Sequence, residues 1–131
     1  MGTRSSITVK IENKYYSIYC HWNGYLSYNG EKLLEYYNSQ EKAESLVSLG
    51  YLSVLDDSNI KPKGHSFDNK IEGYCVYYGR DRGETGVDPV IENTYDEIMN
   101  KNKQEYNYLY ENGNWYVGGK LLTKELIARE K

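Results

Sequence analysis

The dipeptide Asn112-Gly113 constrains this chain more than any other feature. It stands between Glu105 to Tyr110, where Tyr106, Tyr108 and Tyr110 recur at every second position, and Asn114 to Val117. Two residues that accept positive φ between period-two segments specify a tight hairpin, and Asn-Gly is the pair that turns this way at least cost. A second hairpin is predicted near the N-terminus. Ser6 to Ile11 alternates and is β-branched, Glu12-Asn13-Lys14 turns, and Tyr15 to His21 returns. On that return Tyr16, Ile18 and Cys20 share one face, and Tyr15, Ser17, Tyr19 and His21 share the other.

Hairpins of this kind need a cover, and the remaining patterns supply it. Glu31 to Asn38 carries a helical stripe of Leu33, Leu34 and Tyr37. Ser39 is placed to cap Gln40 to Leu49, whose Ala43, Leu46, Val47 and Leu49 face inward, and Gly50 is a suitable terminator. Thr94-Tyr95-Asp96-Glu97 opens a short helix to about Lys101, and Thr123 caps a last one through Arg129. Trp22 to Gly30 and Asp56 to Lys70 are expected as loops, with Tyr51 to Leu55 a short apolar element between helix and loop. Glu72 to Tyr78, apolar on both faces, is expected as a central strand, and Pro89-Val90-Ile91 as a short edge strand. The expected fold is α+β: a single domain over residues 1–131, with an antiparallel sheet of about five strands and three to four short helices packed on it.

Sixteen tyrosines against one phenylalanine give the chain an amphipathic aromatic surface, since each hydroxyl needs a partner or water. A binding surface and a merely tyrosine-rich codon usage both account for this. The formal net charge of −3 and pI of about 5.4 argue against general nucleic-acid binding, which needs a basic footprint. Cys20 and Cys75 lie in apolar runs and are expected as reduced core residues of a cytoplasmic protein. No signal peptide or long apolar run is evident, so neither secretion nor a membrane span is expected. Met1 to Ser6 fits the N-myristoylation pattern, which is short and common.

Two stretches carry candidate chemistry. In Gly79 to Gly86, glycines free backbone N–H groups to turn toward an anion, Arg80 and Arg82 offer planar donors, and Asp81 and Glu84 offer acceptors. The same four charges also suit a solvated loop that pairs with itself. In His21-Trp22-Asn23-Gly24-Tyr25, the aromatic rings suit a planar ligand, with His21 and Tyr25 the better candidates and Trp22 equally suited to closing a hairpin end. Arg4, just before the first strand, can reach the same end of the sheet. Catalysis has little support: His21, His65, Asp68 and Cys75 are in the chain, but no nucleophile motif surrounds either cysteine. No cofactor or metal site is predicted, because the His and Cys spacing matches no zinc site.

Thr3-Arg4-Ser5, Tyr19-Cys20-His21-Trp22-Asn23-Gly24-Tyr25, Asn29-Gly30, Tyr78 to Thr85 and Glu105 to Tyr110 together resemble a family of small phage and prophage proteins. Asn23 departs from the family pattern, which has Asp there. The resemblance implies a phage origin and a bacterial cytoplasm, and no reaction. The expected function is that of a phage accessory protein, acting against host defence, that binds and sequesters a small anionic, nucleotide-derived ligand. Arg80 and Arg82 would meet phosphate, His21 and Tyr25 would stack or hydrogen-bond, Glu84 would orient a polar group, and Arg4 would assist. An inhibitor of a host protein and a small nucleotide-signal hydrolase are the alternatives. A homodimer is a reasonable expectation for either binder.

Overall fold

The computed structural model describes residues 3–130, so Gly2, on which the myristoylation pattern depends, lies outside it. The elements in order are β1 (Ser5–Ile11), β2 (Lys14–Cys20), a π-helical turn (Leu26–Gly30), α1 (Glu31–Tyr36), α2 (Gln40–Ser48), β3 (Leu52–Val54), β4 (Val76–Tyr77), α3 (Tyr78–Arg82), β5 (Val90–Glu92), α4 (Tyr95–Asn102), β6 (Tyr106–Glu111), β7 (Asn114–Val117), β8 (Lys120–Leu121) and α5 (Lys124–Glu130). Among the described residues the class is α+β, with eight strands in one sheet, five α-helices and the one π-helical turn.

The sheet is larger than the sequence patterns indicate, and it is mixed. Its order is β4-β3-β2-β1-β6-β7-β8, with β5 also paired to β2. Both predicted hairpins form, and Asn112 and Gly113 take φ of 53° and 81° at the β6–β7 turn. Two pairings are parallel, β1 with β6 and β2 with β3. Hairpins dictate antiparallel neighbours only where a short turn joins them; β1 and β6 are far apart in the chain, so nothing local sets their direction. The outer edge of β2 is divided. Its Tyr15–Ser17 portion pairs with β5, and Cys20 pairs with Leu52 of β3.

One face of the sheet carries Ile7, Val9, Ile18, Cys20, Tyr108, Tyr110 and Trp115, all buried. It is covered by Leu33 and Tyr37 of the α1 region, Ala43, Leu46 and Val47 of α2, and Ile127 of α5, whereas Leu49, expected to face inward, follows the last residue of α2 and is exposed. The other face is polar: Thr8 donates to Ser17 at 2.9 Å and Ser6 to Asn107 at 2.7 Å. The buried side chain of Asn102, from α4, donates to Ser17 Oγ and the Ile18 carbonyl, both at 3.0 Å. Capping follows the sequence signals, with Ser39 accepting from Lys42 N–H, Thr94 from Glu97 N–H and Thr123 from Leu126 N–H.

The expectation of a central strand over Glu72 to Tyr78 is corrected. β4 has two residues and sits at the end of the sheet. Cys75, Val76 and Tyr77 are buried because Tyr37, the α2 backbone and the start of the 56–74 segment all meet them. Asp56 N–H donates to Cys75 Sγ at 3.2 Å, the Tyr37 hydroxyl lies 3.3 Å from the same sulfur, and the Tyr77 hydroxyl donates to the Leu46 carbonyl at 2.7 Å. An apolar run reports burial and does not say which neighbour provides it.

Candidate functional site

The glycine–arginine stretch is not an open loop at its start. Tyr78 to Arg82 forms α3, stopped by Gly83 at φ 76° in the left-handed conformation. Asp81 is turned inward, where its Oδ2 accepts the Tyr77 N–H at 2.8 Å. Arg80 is bound up alongside it. Its Nε donates to Asp81 Oδ1 at 2.9 Å, Nη2 to Asp81 Oδ2 at 3.1 Å and to the Cys75 carbonyl at 3.2 Å, and Nη1 to the Asn59 carbonyl at 2.6 Å. Its guanidinium also lies 4.8 Å from the Tyr77 ring centroid. The nitrogens that would bind phosphate are thus occupied by the protein's own oxygens. His65 completes the cluster: its Nδ1 accepts the Ile71 N–H at 3.0 Å, so its proton sits on Nε2, 3.1 Å from the Cys75 carbonyl and 3.4 Å from Asp81 Oδ2. Burial alone would raise the Asp81 carboxyl, but Arg80 and the Tyr77 N–H outweigh it and hold the group below the usual carboxylate range.

Arg82 and Glu84 are on the surface, with Arg82 Nε 3.7 Å from Glu84 Oε1. The Arg82 guanidinium also lies over Phe67 at 4.9 Å, Lys70 approaches the same ring at 5.0 Å, and Tyr78 stacks on it at 5.7 Å. Phe67, which no sequence signal marked, is the centre of this group. Exposed pairs of this kind contribute about 0–1 kcal/mol, so Arg82 is held only weakly.

The N-terminal stretch is arranged differently. In register, Ser5 pairs with Cys20, which brings Arg4 and His21 opposite each other one position beyond the end of the β1–β2 pairing. Tyr19 lies two residues back on the same face as His21, and its hydroxyl is 2.7 Å from His21 Nδ1. The edge of Trp22 meets His21 at 4.7 Å between ring centroids, and Trp22 is 40% exposed. Burial raises the Tyr19 hydroxyl, partly offset by the nearby Arg4 charge. Arg4 forms no ion pair among the described residues, and neither His21 Nε2 nor the Trp22 indole N–H has a hydrogen-bond partner among them. The Arg4 guanidinium, His21 Nε2 and the Trp22 indole N–H are therefore left to solvent at this end of the sheet.

The turn below is fastened tightly. Gly24 N–H donates to the Thr3 carbonyl at 2.7 Å, and a Cβ on Gly24 would meet that oxygen at 2.8 Å. Buried Asn29 shares its two Nδ2 hydrogens among Ser5 Oγ, the Trp22 carbonyl and Cys20 Sγ, and the Tyr108 hydroxyl donates to the Gly24 carbonyl at 2.6 Å. Ser5, Cys20, Gly24, Asn29 and Gly30 therefore build the platform, leaving Arg4, Tyr19, His21 and Trp22 at its surface. Tyr25 is turned toward Tyr28, ring centroids 6.5 Å apart, with its hydroxyl donating to Asn23 Oδ1 at 3.3 Å.

The two stretches meet through Tyr51 and Tyr78. Tyr51 packs on Tyr19 at 5.9 Å, and the Tyr78 N–H donates to the Tyr51 carbonyl at 3.1 Å. An aromatic band thus runs from Trp22 through His21 and Tyr19 to Tyr51, and a backbone hydrogen bond joins it to the Tyr78–Phe67 stack, with Arg4 near one end and Arg82 at the other. The Tyr106, Tyr108 and Tyr110 row is not part of any open patch, since Tyr108 and Tyr110 are buried under the helices. His65 approaches the carbonyl of Cys75 rather than its sulfur, and Asp68 is exposed, so these residues form no nucleophile–base pair. Among the described residues no group of three or more His, Cys, Asp or Glu is placed to hold a metal ion. Nor is any helix among them long and apolar enough to cross a membrane. No protein-family model, curated protein or solved structure matches the chain.

Proposed function

We propose that the protein binds and sequesters a small anionic, planar ligand of the nucleotide class on the Arg4 end of the aromatic band. The observation that carries this reading is the position of Arg4 opposite His21 and beside the exposed Trp22, none of them ion-paired, above a rigidly fastened turn. Arg4 would take the anionic group, the Trp22 face would take the planar group, and His21, oriented by Tyr19, would donate or accept through Nε2. Arg82 and Glu84 can join once a ligand displaces their mutual contact, which costs little. Arg80 has no such freedom and drops out of the ligand set, as does Tyr25 on its separate contact with Tyr28. The resemblance to phage proteins supplies the setting: an accessory protein that withholds a nucleotide signal from the host.

The test is native mass spectrometry of the purified protein with a panel of linear and cyclic nucleotides, then heat release and chromatography. Retention and release of an unchanged nucleotide supports sequestration. Release of an altered one makes the protein a hydrolase, and binding that survives Arg4→Ala undiminished removes the site. Loss of one charged hydrogen bond should cost about 1.5–3 kcal/mol of binding.

A further inference from the structure

On the helix-covered face, away from the aromatic band, an apolar groove lies between α2 and the β2–β5 edge. Its floor and walls include Ile11, Tyr16, Val47, Pro89 and Ile91, with a cavity volume of about 580 Å³. Ile91 is 47% exposed, high for a strand isoleucine facing a helix. Tyr16 and Ile91 are register partners, so both side chains point to this face. Along one rim stand Glu41 and Glu44 of α2. Glu44 accepts from Gln40, while Glu41 has no hydrogen bond or ion pair among the described residues.

The strand that forms the other wall is open. Among the described residues β5 pairs with β2 alone, so its outer edge presents backbone donors and acceptors with no strand beside them. Edge strands are ordinarily blunted by short length, proline, charged side chains or bulges. β5 has three residues and follows Pro89, so it offers only a few main-chain bonds, and the trough with its acidic rim supplies most of the recognition. An open strand edge bordering an apolar trough is the arrangement that accepts an added strand: main-chain hydrogen bonds give affinity, and alternate side chains enter the trough.

We propose that this groove docks an extended segment of a partner protein, added antiparallel or parallel to β5. Its alternate apolar side chains fill the space over Tyr16, Val47 and Ile91, and flanking Lys or Arg residues meet Glu41 and Glu44. Charge sets the choice of occupant. The rim is acidic and has no basic residue among its lining groups, so an acidic or neutral strand gains the backbone bonds but not the rim contacts.

The probe is a random library of short peptides displayed on phage, selected against the wild-type protein and counter-selected against Ile91→Lys. Recovered sequences are then synthesised and their affinities measured by fluorescence anisotropy. The expected consensus alternates Val, Ile or aromatic residues with polar ones and carries basic flanks. Reversing its flanking charges should weaken binding roughly tenfold, and Glu41→Lys with Glu44→Lys should invert that preference. Ile91 and both glutamates are at the surface, and matching thermal melts confirm that the variants are folded. No enrichment over the counter-selection, a consensus indifferent to charge, or a helical consensus overturns the proposal. So does a dimer in sedimentation velocity that Ile91→Lys dissociates, which would assign the groove to a second copy.

Discussion

Arg80 and Asp81 are neighbours in the chain and also form a two-pronged ion pair with each other, Nε to Oδ1 at 2.9 Å and Nη2 to Oδ2 at 3.1 Å. The carboxylate has no exposed side-chain surface, and the guanidinium adds carbonyls from Asn59 and Cys75. This pair ties the 56–75 segment to α3. Asp81→Asn leaves a partly buried guanidinium without its counter-charge, an effect of about 3–5 kcal/mol, and chemical denaturation should show it. The pH dependence has a definite sign. The folded carboxyl titrates below its ordinary value, so its contribution is complete above about pH 5 and is lost as pH falls below about 4. Asp81→Asn should therefore flatten the acid limb of a stability–pH curve while lowering the neutral plateau. A variant whose acid limb matches the wild type would show that other carboxylates govern acid unfolding.

Both cysteines should be silent in the native protein. Burial pushes the Cys20 thiol up to about 12, and burial likewise pushes Cys75 up to about 11. Only the thiolate reacts, and neither side chain is exposed. Iodoacetamide at neutral pH should leave the folded protein unmodified and add two labels after denaturation, counted by intact mass. Native labelling at Cys75 would mean that the 56–75 segment opens readily.

Gly50 is the residue that allows β3 and β5 to start side by side on the edge of β2. At φ +90° it brings its Cα so near Val87 that an added Cβ would lie 2.5 Å from the Val87 carbonyl oxygen. Tyr51 N–H donates to that same oxygen at 2.9 Å, so it has little room to withdraw. Gly50→Ala should lose at least the roughly 1–2 kcal/mol of left-handed backbone strain, plus the cost of displacing Val87. Gly64→Ala is the control, because Gly64 has a similar φ of +83° and open space around it. Equal losses in urea titrations of the two variants would mean that the Val87 contact is absent in solution.

The parts of the fold that were legible are those set by nearby residues. Asn112-Gly113, the Ser39 and Thr94 caps and the β1–β2 alternation each act within a few positions, and each formed as its local chemistry requires. What stayed hidden depends on distant partners. The parallel β1–β6 pairing, the edge position of β4 and the two-residue β8 follow from which segments meet, and no turn signal encodes that. The candidate site divides in the same way. Sequence marked Arg80 as an anion donor in the glycine-rich stretch and Arg4 as a cation just before the first strand. Asn59 and Cys75, five and more positions away, consume the first, and no described residue pairs with the second. Phe67 and Tyr51 were invisible as members of the band because their contacts with Arg82, Tyr78 and Tyr19 are tertiary.

Tyr19 offers the sharpest separation between a ligand surface and a merely packed one. Its ring is held by Tyr51 and His21, and its hydroxyl, 2.7 Å from His21 Nδ1, sets which way the imidazole presents Nε2. Tyr19→Phe keeps the ring and removes only the hydroxyl. A half-buried neutral hydrogen bond contributes about 0.5–1.5 kcal/mol net, so the thermal midpoint should fall by a few degrees at most. Ligand binding should suffer more than stability does, because an imidazole released from its partner must be oriented again at each encounter. In calorimetry with the nucleotide retained by the wild type, Tyr19→Phe should weaken affinity several-fold, and Tyr19→Phe combined with His21→Ala should be no weaker than His21→Ala alone. That non-additivity is the signature of Tyr19 acting through His21. Additive losses would mean that Tyr19 touches the ligand directly, and unchanged affinity in both single variants would move the ligand off this end of the band.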